Sequence, residues 1–315
     1  MLAVTLAMVW RALPHGRRAG GVRRVPGLFR FSLPMSLNRV LLYTNNQTEV
    51  LVLGALAPAA TLGVFGIAKR LAMVIGSLLT SITVLFNPMV ADLHHRGRLS
   101  ELDDLFKTST RWLFTLGWPV CLVEVLFAAA IVRVFGKQFA GAAITLVILA
   151  LGQTVNVATG TVSNLLAMAG RAKLTLANSL SFLALSLVLD VLLIPPYGLI
   201  GAAVANSTAV AAVNLLRLWQ IRRVLGIGPY DRRFLRPLAA GLIAGATARM
   251  VPVPHLDGLP ALGTRVVLLG VLYAALLAAF GIEQVDREVA RATLARLRGR
   301  DLEPRRADFG KGAGS

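Results

Sequence analysis

Apolar runs long enough to cross a bilayer as a helix recur along the whole chain. A spanning helix needs about 18 or more mostly apolar residues. The pattern meets this, or nearly so, at roughly 33–57, 62–90, 112–135, 141–167, 174–195, 199–219, 237–253 and 265–282. It therefore predicts an all-α, polytopic membrane helix bundle of about eight transmembrane helices. The first ten residues are also apolar but lack the basic n-region of a secretory signal. They read as the tail of a membrane helix whose beginning is missing. The expected organisation is a partial helix and basic loop over 1–30, a six-helix lobe over 31–225, two further spans over 226–282 and a basic tail over 283–315.

Composition agrees with this pattern. Hydrophobic residues make up 56%, charged residues only 15%, and the mean hydropathy is +0.69, whereas soluble domains carry about a quarter charged residues. The net charge of +18 would suggest nucleic acid in a soluble chain, but its placement follows the membrane instead. Most of the Lys and Arg residues fall in alternate loops: Arg17–Arg30, Arg96–Arg111, Arg171–Lys173, Arg217–Arg236 and Arg287–Lys311. The intervening loops hold only Arg133, Lys137 and Arg265. By the positive-inside rule the first set is cytoplasmic, which gives a multi-pass inner-membrane protein with a cytoplasmic C-terminus. Nucleic acid is set aside as a partner. The single cysteine, Cys121, allows no disulfide framework or CxxC pair.

An ionisable group inside a spanning helix costs about 2.5–3.5 kcal/mol even on the lenient insertion scale, so each one calls for a function or a partner. In the 33–57 helix, Asn38, Asn45 and Glu49 share one face, with Arg39 and Asn46 one residue round from it. Such a stripe serves either interhelical hydrogen bonding or the wall of a substrate cavity. The 141–167 span repeats the pattern with Gln153, Asn156, Gly160 and Asn164. Glu124 follows a Trp118-Pro119 pair that is expected to kink its helix and free a carbonyl. Glu49 and Glu124 are the candidates for proton coupling. Of the adjacent Lys69 and Arg70, Arg70 is the expected cavity residue, with snorkelling to the interface as its alternative. Gly63/Gly66 and Gly198/Gly201 each open a helix after a short turn, where missing side chains let backbones approach. No nucleophile-elbow, zinc-protease or phosphate-loop spacing occurs. No enzyme activity, metal or cofactor is expected.

Three stretches carry a family resemblance: Glu49-Val-Leu-Val-Leu-Gly54 with Leu62 to Leu71, Phe86-Asn-Pro-Met89, and Leu192-Leu-Ile-Pro-Pro-Tyr-Gly198 to Ala203. From Phe31 to about Leu225 the chain resembles the polysaccharide exporters, the lipid-linked oligosaccharide flippase branch of the multidrug/oligosaccharidyl-lipid/polysaccharide exporter superfamily. The resemblance implies the C-terminal lobe of a two-lobe transporter plus an extra helix pair. The implied substrate is a lipid-linked oligosaccharide or polysaccharide precursor moved from the cytoplasmic to the outer leaflet. Arg39 and Arg70 would then attract pyrophosphate, and Asn45, Asn46, Gln153, Asn156 and Asn164 would face the cavity. A second lobe or a second copy of the chain is the implied partner within the bilayer. Two alternatives stand beside this: a cation-coupled small-molecule antiporter of the same fold, and a non-transporting membrane scaffold for polysaccharide synthesis.

Overall fold

The computed structural model describes residues 28–56, 58–251 and 258–281; the N-terminal apolar piece and the basic tail lie outside the described residues. Among these, the structure is all-helical: α1 (Leu28–Leu56), α2 (Ala59–His95), α3 (Leu99–Arg133), α4 (Ala142–Ala158), α5 (Val162–Met168), α6 (Ala172–Leu225), α7 (Leu235–Met250) and α8 (Leu259–Ala279). Five segments are long and apolar enough to cross a membrane by themselves, with α4 and α5 counted as one and α6 counted once. The polar stripe of α1 and the 16-residue length of α7 keep those two below that threshold.

Helix α6 contains both the 174–195 and 199–219 spans. Its 54 residues would measure about 80 Å if straight, against a hydrocarbon core of about 30 Å. The helix turns back at Gly198, whose φ of 52° and ψ of −123° a side-chain-bearing residue rarely adopts. Far from the bend, Asn178 and Gln220 exchange hydrogen bonds of 2.7 and 2.9 Å, so the two arms run antiparallel. At Gly201 a Cβ would lie 2.0 Å from the Leu193 carbonyl oxygen; a side chain there would block the close return. Gly63 and Gly66 have no atom within 4 Å of such a Cβ. The two glycine motifs therefore do not perform the same packing task.

Two expected helices are interrupted. The 141–167 span divides at Thr159–Thr161, where Gly160 takes φ +69° and a Cβ would lie 2.1 Å from Thr110 Oγ1. Gly160 is thus a turn residue pressed against α3, and Asn164 falls on a separate short helix. Helix α3 continues through Pro119 and leaves helical geometry at Phe127 (φ −118°, ψ 16°). Pro119 has no N–H for the Thr115 carbonyl four residues earlier. Tyr273 of α8 supplies a donor instead, its hydroxyl 2.9 Å from that oxygen.

The α7–α8 pair docks on α3 around this point. Trp118 Nε1 donates to the Leu238 carbonyl at 3.3 Å, and Gly241 makes room for the indole. A second apolar centre, formed by Leu53, Phe65, Ala68, Leu146, Ile194 and Ala203, joins α1, α2, α4 and both arms of α6. The polarity is inverted relative to a soluble protein. Val40, Tyr43, Val84, Leu192, Trp219 and Val267 are exposed, whereas Asn38, Glu49, Glu124, Asn178, Asp190 and Asn214 are buried. An exposed apolar surface this extensive is a membrane surface, and burying the polar groups spares them contact with hydrocarbon.

Candidate functional site

The polar face of α1 is turned toward α6. Ser179 Oγ donates to Asn38 Oδ1 at 2.5 Å, and Asn45 Nδ2 donates to the Ser179 carbonyl at 3.3 Å. The spacing of Asn38 and Asn45, two helical turns apart, places both against the same short stretch of the first arm. Glu49, one turn further, reaches a different set of partners. Its Oε1 accepts from Lys69 Nζ at 2.6 Å and from Asn206 Nδ2 at 2.9 Å.

Glu49, Lys69 and Asn206 lie at one depth. Counting at 1.5 Å per residue from Leu56, Gly198 and Ala59 places Glu49 about 10 Å, Asn206 about 12 Å and Lys69 about 15 Å along their helices. Asp190, about 12 Å before the Gly198 bend by the same count, is close enough to interact electrostatically with Glu49 and Lys69. It is fully buried, and Ser186 Oγ donates to its Oδ2 at 3.4 Å. Glu49 Oε2 and Asp190 Oδ1 have no hydrogen-bond partner among the described residues. Among the described residues, the Lys69 ammonium pairs with Glu49 and lies within electrostatic reach of Asp190.

A second polar group lies deeper, toward the basic-loop side. Asn45, Gln153, Asn156, Asn214 and Arg217, with Phe182, line a cavity of about 160 Å³ between α1, α4 and α6. Its side chains form a directed chain. Arg217 Nη1 donates to Asn214 Oδ1 at 3.1 Å, Asn214 Nδ2 to Asn156 Oδ1 at 2.9 Å, and Asn156 Nδ2 to Gln153 Oε1 at 3.2 Å. Each amide orients the next, which fixes donors and acceptors before any ligand arrives. Asn45 Oδ1 is buried at the cavity wall without a partner among the described residues. The arrangement can hydrogen-bond hydroxyls and place one guanidinium beside an anion.

Of the residues expected in a cavity, Asn45, Gln153 and Asn156 line this one, while Glu49 belongs to the charged group above it. Asn164 donates to Thr83 Oγ1 at 3.2 Å, tying α5 to α2. Glu124 is buried in α3 and does not line that cavity, and its Oε2 has no partner among the described residues. The side chains of Arg39 and Asn46 lie outside the described residues. Arg70 is exposed on α2, and its neighbour Lys69 takes the inward position.

Sequence reading missed Lys69, Asn206, Asn214 and Arg217. The charge pattern groups Arg217 with a basic loop, yet it lies within α6, eight positions before the helix ends at Leu225. The signal available was its spacing from Asn206 and Asn214, which puts all three on one stripe of the second arm.

Residues 1–144 match the family of polysaccharide biosynthesis proteins. That match includes the Glu49–Gly54 and Phe86–Met89 motifs. Over 227 residues the chain is 25% identical to a Haloferax volcanii protein named probable low-salt glycan biosynthesis flippase Agl15, covering 68% of this chain and 46% of that protein. The fold is shared with the lipid II flippase MurJ in an inward closed conformation, with a TM-score of 0.70 and 14% identity over 88% of this chain and 59% of that one. It is also shared with an outward-facing multidrug resistance MATE family transporter of the MOP superfamily, with a TM-score of 0.54 and 18% identity over 70% of this chain and 52% of that one.

The chain is thus similar to polysaccharide biosynthesis and flippase proteins, and its fold is that of the MurJ and MATE transporters. It spans about half the length of the curated relative it matches.

Proposed function

We propose that this chain forms part of a flippase that moves a lipid-linked oligosaccharide or polysaccharide precursor from the cytoplasmic to the outer leaflet. The observation that carries the reading is the oriented chain Arg217–Asn214–Asn156–Gln153 along a cavity enclosed by membrane helices. Transport of this kind makes and breaks no bond, so what the protein must supply is a polar path through hydrocarbon. Amides offer both donors and acceptors to sugar hydroxyls, and Arg217 supplies positive charge for a pyrophosphate. The lipid tail stays in the bilayer. Arg217 favours an anionic glycolipid over the cation expected of a same-fold antiporter.

The Glu49–Lys69–Asp190 group is the proposed coupling element. Protonation of a buried carboxylate would loosen the contact that ties α1 to α2 and to the second arm of α6. Glu124, with one oxygen unpartnered, is a second proton candidate. Alternating access rocks one bundle against another around a shared site, so the partner in transport is a second lobe or a second copy of the chain.

The test is leaflet accessibility of a fluorescent lipid-linked oligosaccharide in proteoliposomes containing the full chain. Arg217→Ala and Asn214→Ala should each slow flipping about tenfold, the cost of one charge-assisted hydrogen bond, while Arg133→Ala leaves the rate unchanged. Wild-type flipping by Arg217→Ala would overturn the assignment of the cavity. An inactive wild-type chain that co-purifies with another membrane protein would favour the scaffold reading. Glu49→Gln and Glu124→Gln in a proton-flux assay separate the two coupling candidates, and no change in either would remove proton coupling.

A further inference from the structure

The amide chain along the Arg217 cavity has a polarity that its chemistry fixes. A guanidinium only donates, so Asn214 must offer Arg217 its Oδ1. Asn214 Nδ2 then faces Asn156 Oδ1, and Asn156 Nδ2 faces Gln153 Oε1. That oxygen lies against Gly76 of α2, where a Cβ would come within 3.1 Å of it. The chain therefore ends on Gln153 Nε2, a group that only donates and that makes no hydrogen bond of its own among the described residues. Asn45 has the opposite polarity. Its Nδ2 is taken by the Ser179 carbonyl, which only accepts, so Oδ1 is the acceptor left unmet among the described residues. The cavity thus holds one spare donor from α4 and one spare acceptor from α1, among the apolar side chains of Leu42, Phe182 and Val213.

We propose that this cavity recognises an acylamino substituent, of the acetamido kind, on a sugar of the transported glycolipid; the proposal rests on the reading of the cavity as part of the polar path. An acetamido group carries a carbonyl oxygen for Gln153 Nε2, an N–H for Asn45 Oδ1 and a methyl for the apolar wall. A hydroxyl offers a single oxygen to two residues on different helices and has no apolar part. A carboxylate has no donor for Asn45. At about 160 Å³, the room of about five waters at ~30 Å³ each, the cavity takes one substituted sugar ring and not a run of sugars. Arg217, at the charged end of the chain, remains for the anionic part of the same molecule.

Binding and transport are measured separately, so the two readings can fail independently. The full chain in mild detergent is titrated with N-acetylglucosamine 1-phosphate and with glucose 1-phosphate, two probes of equal charge, and binding is followed by thermal unfolding. Wild type should bind the acetamido probe about tenfold more tightly, the effect of one hydrogen bond left unmade. In proteoliposomes, fluorescent polyprenyl pyrophosphates carrying N-acetylglucosamine or glucose should show the same order of flipping rates. Gln153→Met keeps the side chain's length and removes its donor, and should abolish the preference. Asn45→Leu removes the acceptor and should reduce it, so misfolding of one variant leaves the other to decide. Equal binding of the two probes by wild type, or an undiminished preference in either folded variant, would overturn the proposal. Selective binding without flipping of either lipid would uphold it and remove the transport role; flipping of both lipids at one rate would uphold transport and overturn the selectivity.

Discussion

Replacing Lys69 with methionine would keep the side chain's length and remove its charge. In the native chain Lys69 Nζ lies 2.6 Å from a Glu49 carboxylate whose side chain is 2% exposed, with the lysine itself 17% exposed. Removing one partner of a buried pair typically costs about 3–5 kcal/mol, because the remaining charge has neither water nor counterion. Here Asn206 still donates to Glu49, and the carboxylate can take up a proton instead of staying charged. The lower end therefore applies: about 3 kcal/mol, or roughly a hundredfold in the unfolding equilibrium. Adding Glu49→Gln should recover most of this, since an amide in place of the carboxylate needs no counterion and retains Asn206 as a neighbour. The assay is unfolding in mixed micelles, by denaturing detergent, followed by tryptophan fluorescence. Lys69→Met within about 0.5 kcal/mol of wild type, a surface-like value, would refute the buried pair. A Glu49→Gln/Lys69→Met double variant no more stable than Lys69→Met alone would refute the charge explanation.

Other consequences can be measured in the same way. Tyr273→Phe should cost about 1–2 kcal/mol by stranding the Thr115 carbonyl, and the cost should shrink by about half in a Pro119→Ala background, where an N–H returns to that oxygen; equal costs in the two backgrounds would reject the link between proline and tyrosine. Gly160→Ala should destabilise by about 1–3 kcal/mol, since the backbone is left-handed there and Thr110 occupies the space; Thr110→Ala should return part of the loss, and a stable Gly160→Ala chain would show that α4 and α5 can join as one helix.

The comparison of adjacent residues shows how far pattern alone reaches. The stripe Asn38, Asn45, Glu49 points to one face because its spacing is helical, and that face does meet α6 and its neighbours. Lys69 and Arg70 resist the same treatment. They differ by about 100° on the helix, and only the rotation of α2 against α1 decides which ammonium or guanidinium turns inward. Arg217 was obscured by its neighbours: Arg222 and Arg223 make the segment resemble a loop, although the helix continues to Leu225. Gly160 suggested helix packing, and it does press against Thr110, but it also lies at positive φ in the turn that separates α4 from α5.

By itself the amino-acid order determined that this is a helical membrane protein, where most of its apolar helices fall and that the Asn38, Asn45 and Glu49 stripe turns away from lipid. Those features follow from local physics: the length of an apolar run against bilayer thickness, the cost of a polar atom in hydrocarbon, and the bias of arginine toward one side. Only the tertiary structure decided that Glu49 meets Lys69 and Asn206, that Arg217 heads a chain of amides, and that Tyr273 answers a proline at 119. These pairings join residues far apart along the chain, the last separated by 158 positions from its acceptor Thr115. They depend on how whole helices rotate and tilt against one another, which no single segment encodes.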